Sequence, residues 1–170
     1  MKTQTKDLKI LIWLILFTAL IGFYAKHNVI KPAEANAPND AINYRLPFND
    51  DKEMTDKDII YAVAMRECYA HGYGKLCRND LMGIANKESK FDCTANGDFG
   101  ASHGCFQIHL GYHPEITQEE ARDPEFATKW TFKRLLHYGY PEYRSYAIMR
   151  HNGTPGTEKT LSYLEAVNNY

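Results

Sequence analysis

Hydrophobic positions along this chain fall into two regimes. From Ile10 to Ala25 they form an apolar run with no charge, preceded by Lys2, Lys6 and Lys9 and closed by Lys26. As a helix this run spans roughly 24 Å, slightly less than a hydrocarbon core, and Lys9 and Lys26 can snorkel to the two interfaces. Residues 1–25 therefore read as an N-terminal transmembrane anchor or a signal segment. Cleavage after Ala25 would put Phe23 where a small residue is needed. Ala33-Glu34-Ala35 suits cleavage better but lies far beyond the apolar run, so a retained anchor is expected. In either case the lysine-rich start leaves the rest of the chain outside the cytoplasm. The location that follows is the cell envelope or periplasm, tethered to the inner membrane, or secretion if the segment is removed. Residues 26–54, with Pro32, Pro38, Pro47 and a run of Ala and Asn, read as a flexible linker.

From residue 55 onward the apolar positions recur with helical spacing. Ile59, Ile60, Val63, Ala64 and Cys68 share one face of a helix opened by Thr55 as N-cap, with acids in its first turn. A second helix is expected from about Asn79 or Asp80 to Ser89. Thr117-Gln118-Glu119-Glu120 has the capping-box pattern. Asp123-Pro124 opens a further helix whose face runs through Phe126, Ala127, Trp130, Thr131, Leu135 and Tyr138 to Gly139. Helical pieces also fit 143–151 and 157–169, and a small hairpin fits 92–102. The expected class is mainly α, in a single domain over 55–170 following the membrane segment.

Charge and cysteines narrow this picture. The chain carries a net −1, with +2 on residues 1–25 and −3 on the remainder. There is no basic field to attract nucleic acid, and none is expected as a partner. All four cysteines, Cys68, Cys77, Cys93 and Cys105, lie in the exported unit. An even count in an oxidising compartment points to two disulfides. Three pairings are open, and the local ones, Cys68–Cys77 and Cys93–Cys105, are the expectation. Their spacings do not match a zinc ribbon or finger.

One carboxylate stands where an apolar residue belongs. In the second helix Leu81, Ile84, Ala85 and Glu88 fall at i, i+3, i+4 and i+7, a single face, whereas Asn79, Met82, Gly83, Asn86 and Lys87 lie on the other side. Glu88 thus continues the stripe that faces the core. Desolvation there raises a carboxyl pKa. A carboxylic acid still protonated near neutral pH is what a glycosidase uses to protonate a leaving oxygen. Periodicity alone also allows, and taken by itself favours, a Glu at a fraying helix end, pointing to water.

The neighbouring residues bear on that choice. Glu88-Ser89-Lys90-Phe91 is followed by a Gly-rich turn ending in Gly104-Cys105-Phe106-Gln107-Ile108. Later come Ala147-Ile148-Met149-Arg150-His151-Asn152-Gly153-Thr154-Pro155-Gly156 and Tyr163-Leu164-Glu165-Ala166-Val167. In this order they resemble three signatures of the lytic transglycosylase SLT family, which has a lysozyme-like fold. These signatures are Glu-Ser-x-Phe, Gly-x-x-Gln-Ile, and Ala-x-x-x-Tyr-Asn-x-x-Pro-Gly before a Tyr-Val-x-x-Val helix. The resemblance covers about residues 58–170. It implies cleavage of peptidoglycan between N-acetylmuramic acid and N-acetylglucosamine with formation of a 1,6-anhydro ring, without metal or cofactor. It implies Glu88 as the catalytic acid/base and Ser89 as a polar group that orients Glu88 or the sugar. Gln107 and Ile108 would line the cleft, and Asn152 would bond a substrate sugar. Phe91 is expected in the core.

The chain departs from the family at two places. His151 stands where the family usually has tyrosine, so a hydroxyl near the acid is missing; an imidazole would donate the same bond or add a charge. Asp98, in Gly97-Asp98-Phe99-Gly100, is an additional carboxylate ten residues after Glu88. It reads either as the second acid of a hydrolytic lysozyme or as a turn residue bonding its own backbone. A third reading is a non-catalytic glycan-binding component of an envelope-spanning secretion or conjugation machine. Asp92-x-Thr94-x-Asn96-Gly97-Asp98 imitates half a calcium loop but has His103 where the bidentate Glu is required. His109 and His113 have metal-ligand spacing but read as a polar rim pair. Tyr112, Trp130 and Tyr146 are candidates for stacking on sugar rings.

Overall fold

The computed structural model describes residues 53–170; the anchor over 1–25 and the linker up to residue 52 lie outside the described residues. Within them there are six α-helices and a small antiparallel sheet. In chain order these are α1 (Asp56–Ala70), α2 (Gly74–Ser89), β1 (Asn96–Gly97), a 3-10 turn (Asp98–Gly100), β2 (Ser102–His103), β3 (Ile108–His109), α3 (Gln118–Arg122), α4 (Pro124–His137), α5 (Arg144–Asn152) and α6 (Glu158–Asn168). The mainly helical class is as expected. Among the described residues no helix is long and apolar enough to cross a membrane.

Local chemistry accounts for most of the helix starts. Thr55 and Thr117 each close a capping box, with Asp58 and Glu120 respectively. The Asp123 side chain accepts from the Phe126 N–H ahead of Pro124, and Thr157 caps α6 by accepting from the Thr160 N–H. Helix α4 ends at His137, and Gly139 lies just beyond it at φ 85°, its N–H donating to the Leu136 carbonyl. The hairpin forms by pairing Asn96 with His103 and Gly97 with Ser102. A third strand not anticipated from the sequence pairs Ser102 with His109 and His103 with Ile108.

Helix α2 departs from its expected form in two ways. It begins at Gly74, about five residues before Asn79 or Asp80. The Asp80 side chain does not cap a helix: it accepts from Tyr140 Oη at 2.7 Å and from Arg144, whose Nε lies 2.7 Å away. The expected polar side of α2 is also partly buried, because α1, α4 and α6 all pack on this helix. Met82 and Asp80 are each 2% exposed. Gly83 lets α6 approach so closely that a Cβ there would lie 2.7 Å from the Val167 carbonyl oxygen. Leu81, Ile84 and Ala85 are fully buried, as the stripe predicts.

Both local disulfides are present, Cys68–Cys77 joining α1 to α2 and Cys93–Cys105 joining the loop after α2 to the turn between β2 and β3. They suggest an oxidising, exported compartment. All four thiols are used in these bonds. Phe91 packs against the core with the Tyr170 ring at 5.8 Å, as expected.

Candidate active site

Glu88 occupies the last turn of α2. The next two residues after Ser89, Lys90 and Phe91, have positive φ angles of 56° and 69° and end the helix abruptly. The Glu88 side chain is 15% exposed, at the wall of a cleft of about 1070 Å³. Burial pushes its carboxyl from 4.5 up to about 6. A hydrogen bond from Tyr163 and the charges of Lys159 and Lys87 work the other way, while the charge of Asp98 adds to the rise. The expected stripe is thus real, and the acid at its end is held in the protonation range suited to proton donation.

The hydroxyl that His151 appeared to cost the site comes from another helix. Tyr163, on α6, donates to Glu88 Oε1 at 2.7 Å. It is 3% exposed, and burial together with the adjacent carboxylate keeps its own pKa well above 10.0, so the phenol stays protonated. Replacing it tests this arrangement. Tyr163→Phe removes a bond that favours the charged form of Glu88, so the Glu88 pKa rises further. A pH titration of the Glu88 carboxyl followed by NMR should then show a higher midpoint. An unmoved midpoint would disconnect Tyr163 from the acid.

His151 does neither thing expected of it. Its Nε2 lies 3.9 Å from Glu88 Oε1, beyond hydrogen-bond reach. Burial, aided by the positive charge of Arg134, pushes the imidazole down to about 4 against a hydrogen bond with the Phe106 backbone. It is therefore neutral where Glu88 titrates and adds no charge. Ser89 also differs from expectation. It does not line the cleft; its hydroxyl donates to the Cys105 carbonyl at 3.0 Å and the Ala85 carbonyl at 3.3 Å. Its role is to tie the end of α2 to the Gly-rich turn.

The structure gathers Asp98, Gln107, Ile108, His151 and Asn152 into the same cleft as Glu88. Gln107 has φ 48°, and its Nε2 donates to the Gly104 carbonyl at 2.9 Å. Gly97 makes room for it, since a Cβ there would lie 2.1 Å from Gln107 Oε1. Ile108 is 2% exposed and mainly a core residue at the cleft floor. Asn152 Oδ1 is buried without a hydrogen-bond partner. Asp98 accepts from Ser102 Oγ at 2.6 Å, and its backbone carbonyl accepts from the Ala101 N–H. Asp98 and Phe99 are both left-handed, at φ 49° and 55°, conformations that cost non-glycine residues of order 1–3 kcal/mol each.

The remaining candidates divide. His109, Tyr112, His113 and Trp130 line the cleft, with His113 edge-on to Trp130 and His109 against Tyr112. Tyr146 is 48% exposed and lies outside the cleft lining, so it is not a stacking residue there. Asp92 Oδ1 accepts from the backbone and hydroxyl of Thr94, an Asx turn that holds its carboxyl below the usual range. No group of three or more His, Cys, Asp or Glu side chains able to hold a metal ion occurs among the described residues. The sequence reading missed Tyr163 as a partner of Glu88, and it missed Arg134, Arg150 and Lys159 as cleft residues. Tyr163 and Val167 did carry a signal, an i, i+4 apolar pair on α6, but that pattern predicts burial and not a bond to an acid. Comparison with protein-family models, curated proteins and solved structures finds no match to this chain.

Proposed function

We propose that the domain is a peptidoglycan lytic transglycosylase of lysozyme-like fold, with Glu88 as its acid and base. The observation that carries this reading is a carboxyl raised to about 6 by burial at the wall of an open cleft. Protonated Glu88 donates to the glycosidic oxygen between N-acetylmuramic acid and N-acetylglucosamine, and the C1–O bond breaks. The muramyl acetamido oxygen stabilises the oxocarbenium-like charge at C1. Glu88, now a carboxylate held by Tyr163, takes the proton of the C6 hydroxyl. That oxygen closes on C1, giving the 1,6-anhydro ring with no net gain of water. The unpartnered Asn152 Oδ1 is an acceptor for a sugar N–H or O–H pressed into the cleft. Anchored through residues 1–25 on the outer side of the inner membrane, such an enzyme suits local opening of the wall for a secretion or conjugation apparatus better than bulk digestion.

A second reading, a hydrolytic lysozyme, has one observation in its favour. Asp98 lines the same cleft, and its charge is felt by Glu88. Products separate the two. Digestion of purified peptidoglycan should release anhydro-muramyl ends, lighter by one water than hydrolysis products and without reducing groups. Asp98→Asn should cost less than about tenfold, because no step above uses its carboxylate. Reducing ends from the wild type, with a loss of about 10²-fold or more in Asp98→Asn, would replace the transglycosylase by a lysozyme.

A further inference from the structure

The described domain is acidic as a whole, yet one part of its cleft is basic. Trp130 and Arg134 on α4 and Tyr138 at its C-cap fall at i, i+4 and i+8, which brings the Arg134 side chain between the two rings. The Arg134 guanidinium lies 5.4 Å from the Trp130 ring centre and 4.8 Å from that of Tyr138, with a hydrogen bond to the Tyr138 hydroxyl. Arg150, from the last turn of α5, approaches the same Tyr138 ring at 5.6 Å and donates to the Gly153 carbonyl at 3.3 Å. Two guanidinium groups therefore share one aromatic ring. Neither forms an ion pair with a carboxylate among the described residues. Lys159, in the first turn of α6, adds a third cation to the cleft lining.

Like charges brought together without a counter-ion repel, and the aromatic contacts recover only part of that cost. Arginine between aromatic faces has its ring-plane contacts satisfied while most of its five N–H donors, which match a carboxylate in a planar fork, remain at the edge. The carboxylates that share the cleft, Glu88 and Asp98, are engaged with Tyr163 and Ser102. Both guanidinium groups thus line the cleft paired with no protein carboxylate among the described residues.

We infer that Arg134 and Arg150, stacked on Tyr138, form a carboxylate subsite that takes the muramyl-peptide branch of the glycan strand. This rests on the glycan-cleaving reading of the same cleft. It adds that the protein selects strands by the acidic substituent on muramic acid and not by the sugar backbone alone. The carboxylate has two sources, the stem peptide or the lactyl group left free when that peptide is removed.

Equilibrium binding to the full-length Glu88→Gln protein tests this without turnover. Three soluble ligands are compared: a peptide-bearing muropeptide tetrasaccharide, the same tetrasaccharide stripped of peptide by an amidase, and the uncharged N-acetylglucosamine tetramer. The peptide-bearing ligand should bind at least about tenfold more tightly than the uncharged tetramer, the scale expected of charge-assisted hydrogen bonds, and added salt should erode the difference. If the stripped ligand keeps the advantage, the subsite takes either carboxylate, that of the stem peptide or the lactyl one once freed; if it loses it, only the stem-peptide carboxylate is recognised. Adding Arg150→Gln should remove most of the advantage of the peptide-bearing ligand over the uncharged tetramer. Arg134→Lys should keep part of it, since charge remains but the fork does not. Equal binding of charged and uncharged ligands, or an advantage untouched by Arg150→Gln, overturns the subsite and leaves the glycan cleft standing. Failure of all three ligands to bind overturns the glycan reading as well.

Discussion

Glu88→Gln should reduce peptidoglycan cleavage by about 10²–10⁴-fold and at the same time make the protein more stable at neutral pH. The first effect follows because an amide of the same shape neither gives nor takes the proton. The second follows from linkage. The carboxyl titrates at about 6 in the folded protein against 4.5 for the free group. The folded state therefore holds the proton more tightly than the unfolded one. Stability is highest below the unfolded pKa, falls as pH rises between the two values, and above them is lower by about 2 kcal/mol. Glutamine is never charged and escapes that loss, and its carbonyl oxygen still accepts the Tyr163 hydroxyl. Denaturant unfolding of both forms at pH 4 and pH 7 measures the stability effect. The two should coincide at the lower pH and separate at the higher one. Activity retained within tenfold would remove Glu88 from the mechanism. A mutant no more stable at pH 7 would mean that the acid is not desolvated in the folded protein.

Asp80→Ala should be strongly destabilising, costing about 3–5 kcal/mol. Asp80 lies two turns before Glu88, 2% exposed, and accepts hydrogen bonds from Arg144 and from the Tyr140 hydroxyl. Through Arg144, which also donates to Asn168 at 2.8 Å, it links α2 to α5 and α6. Removing it strands a half-buried guanidinium and a buried phenol. The hydrogen bond from Arg144 to Asp80 raises the pKa of the guanidinium, and burial, reinforced by the adjacent Asp80 charge, pushes the Tyr140 phenol upward. Urea unfolding gives the cost directly. A loss below about 1 kcal/mol, the worth of an exposed pair, would mean that the cluster is not buried as described.

Periodicity and capping chemistry, read along the chain, determined the helical class, the starts of α1, α3, α4 and α6, and the apolar stripe that ends in Glu88. These are local properties. A threonine oxygen reaches N–H groups three residues away, and a helix repeats its faces every few residues whatever else it touches. The local cysteine pairings were readable for a similar reason, since short chain segments keep their ends close. Three decisions needed the tertiary structure. Asp80 stood, with Asn79, at the expected start of the helix, where the apolar stripe begins. Its partners, Tyr140 and Arg144, lie 60 and 64 residues away, and that distance conceals its buried role. His151 looked like a substitute for a missing hydroxyl, but the hydroxyl comes from Tyr163, 75 residues from Glu88, which only the packing of α6 on α2 brings within 2.7 Å. The raised pKa of Glu88 is likewise a property of what surrounds the carboxyl. The stripe placed it toward the core; burial in the folded domain is what raises its pKa.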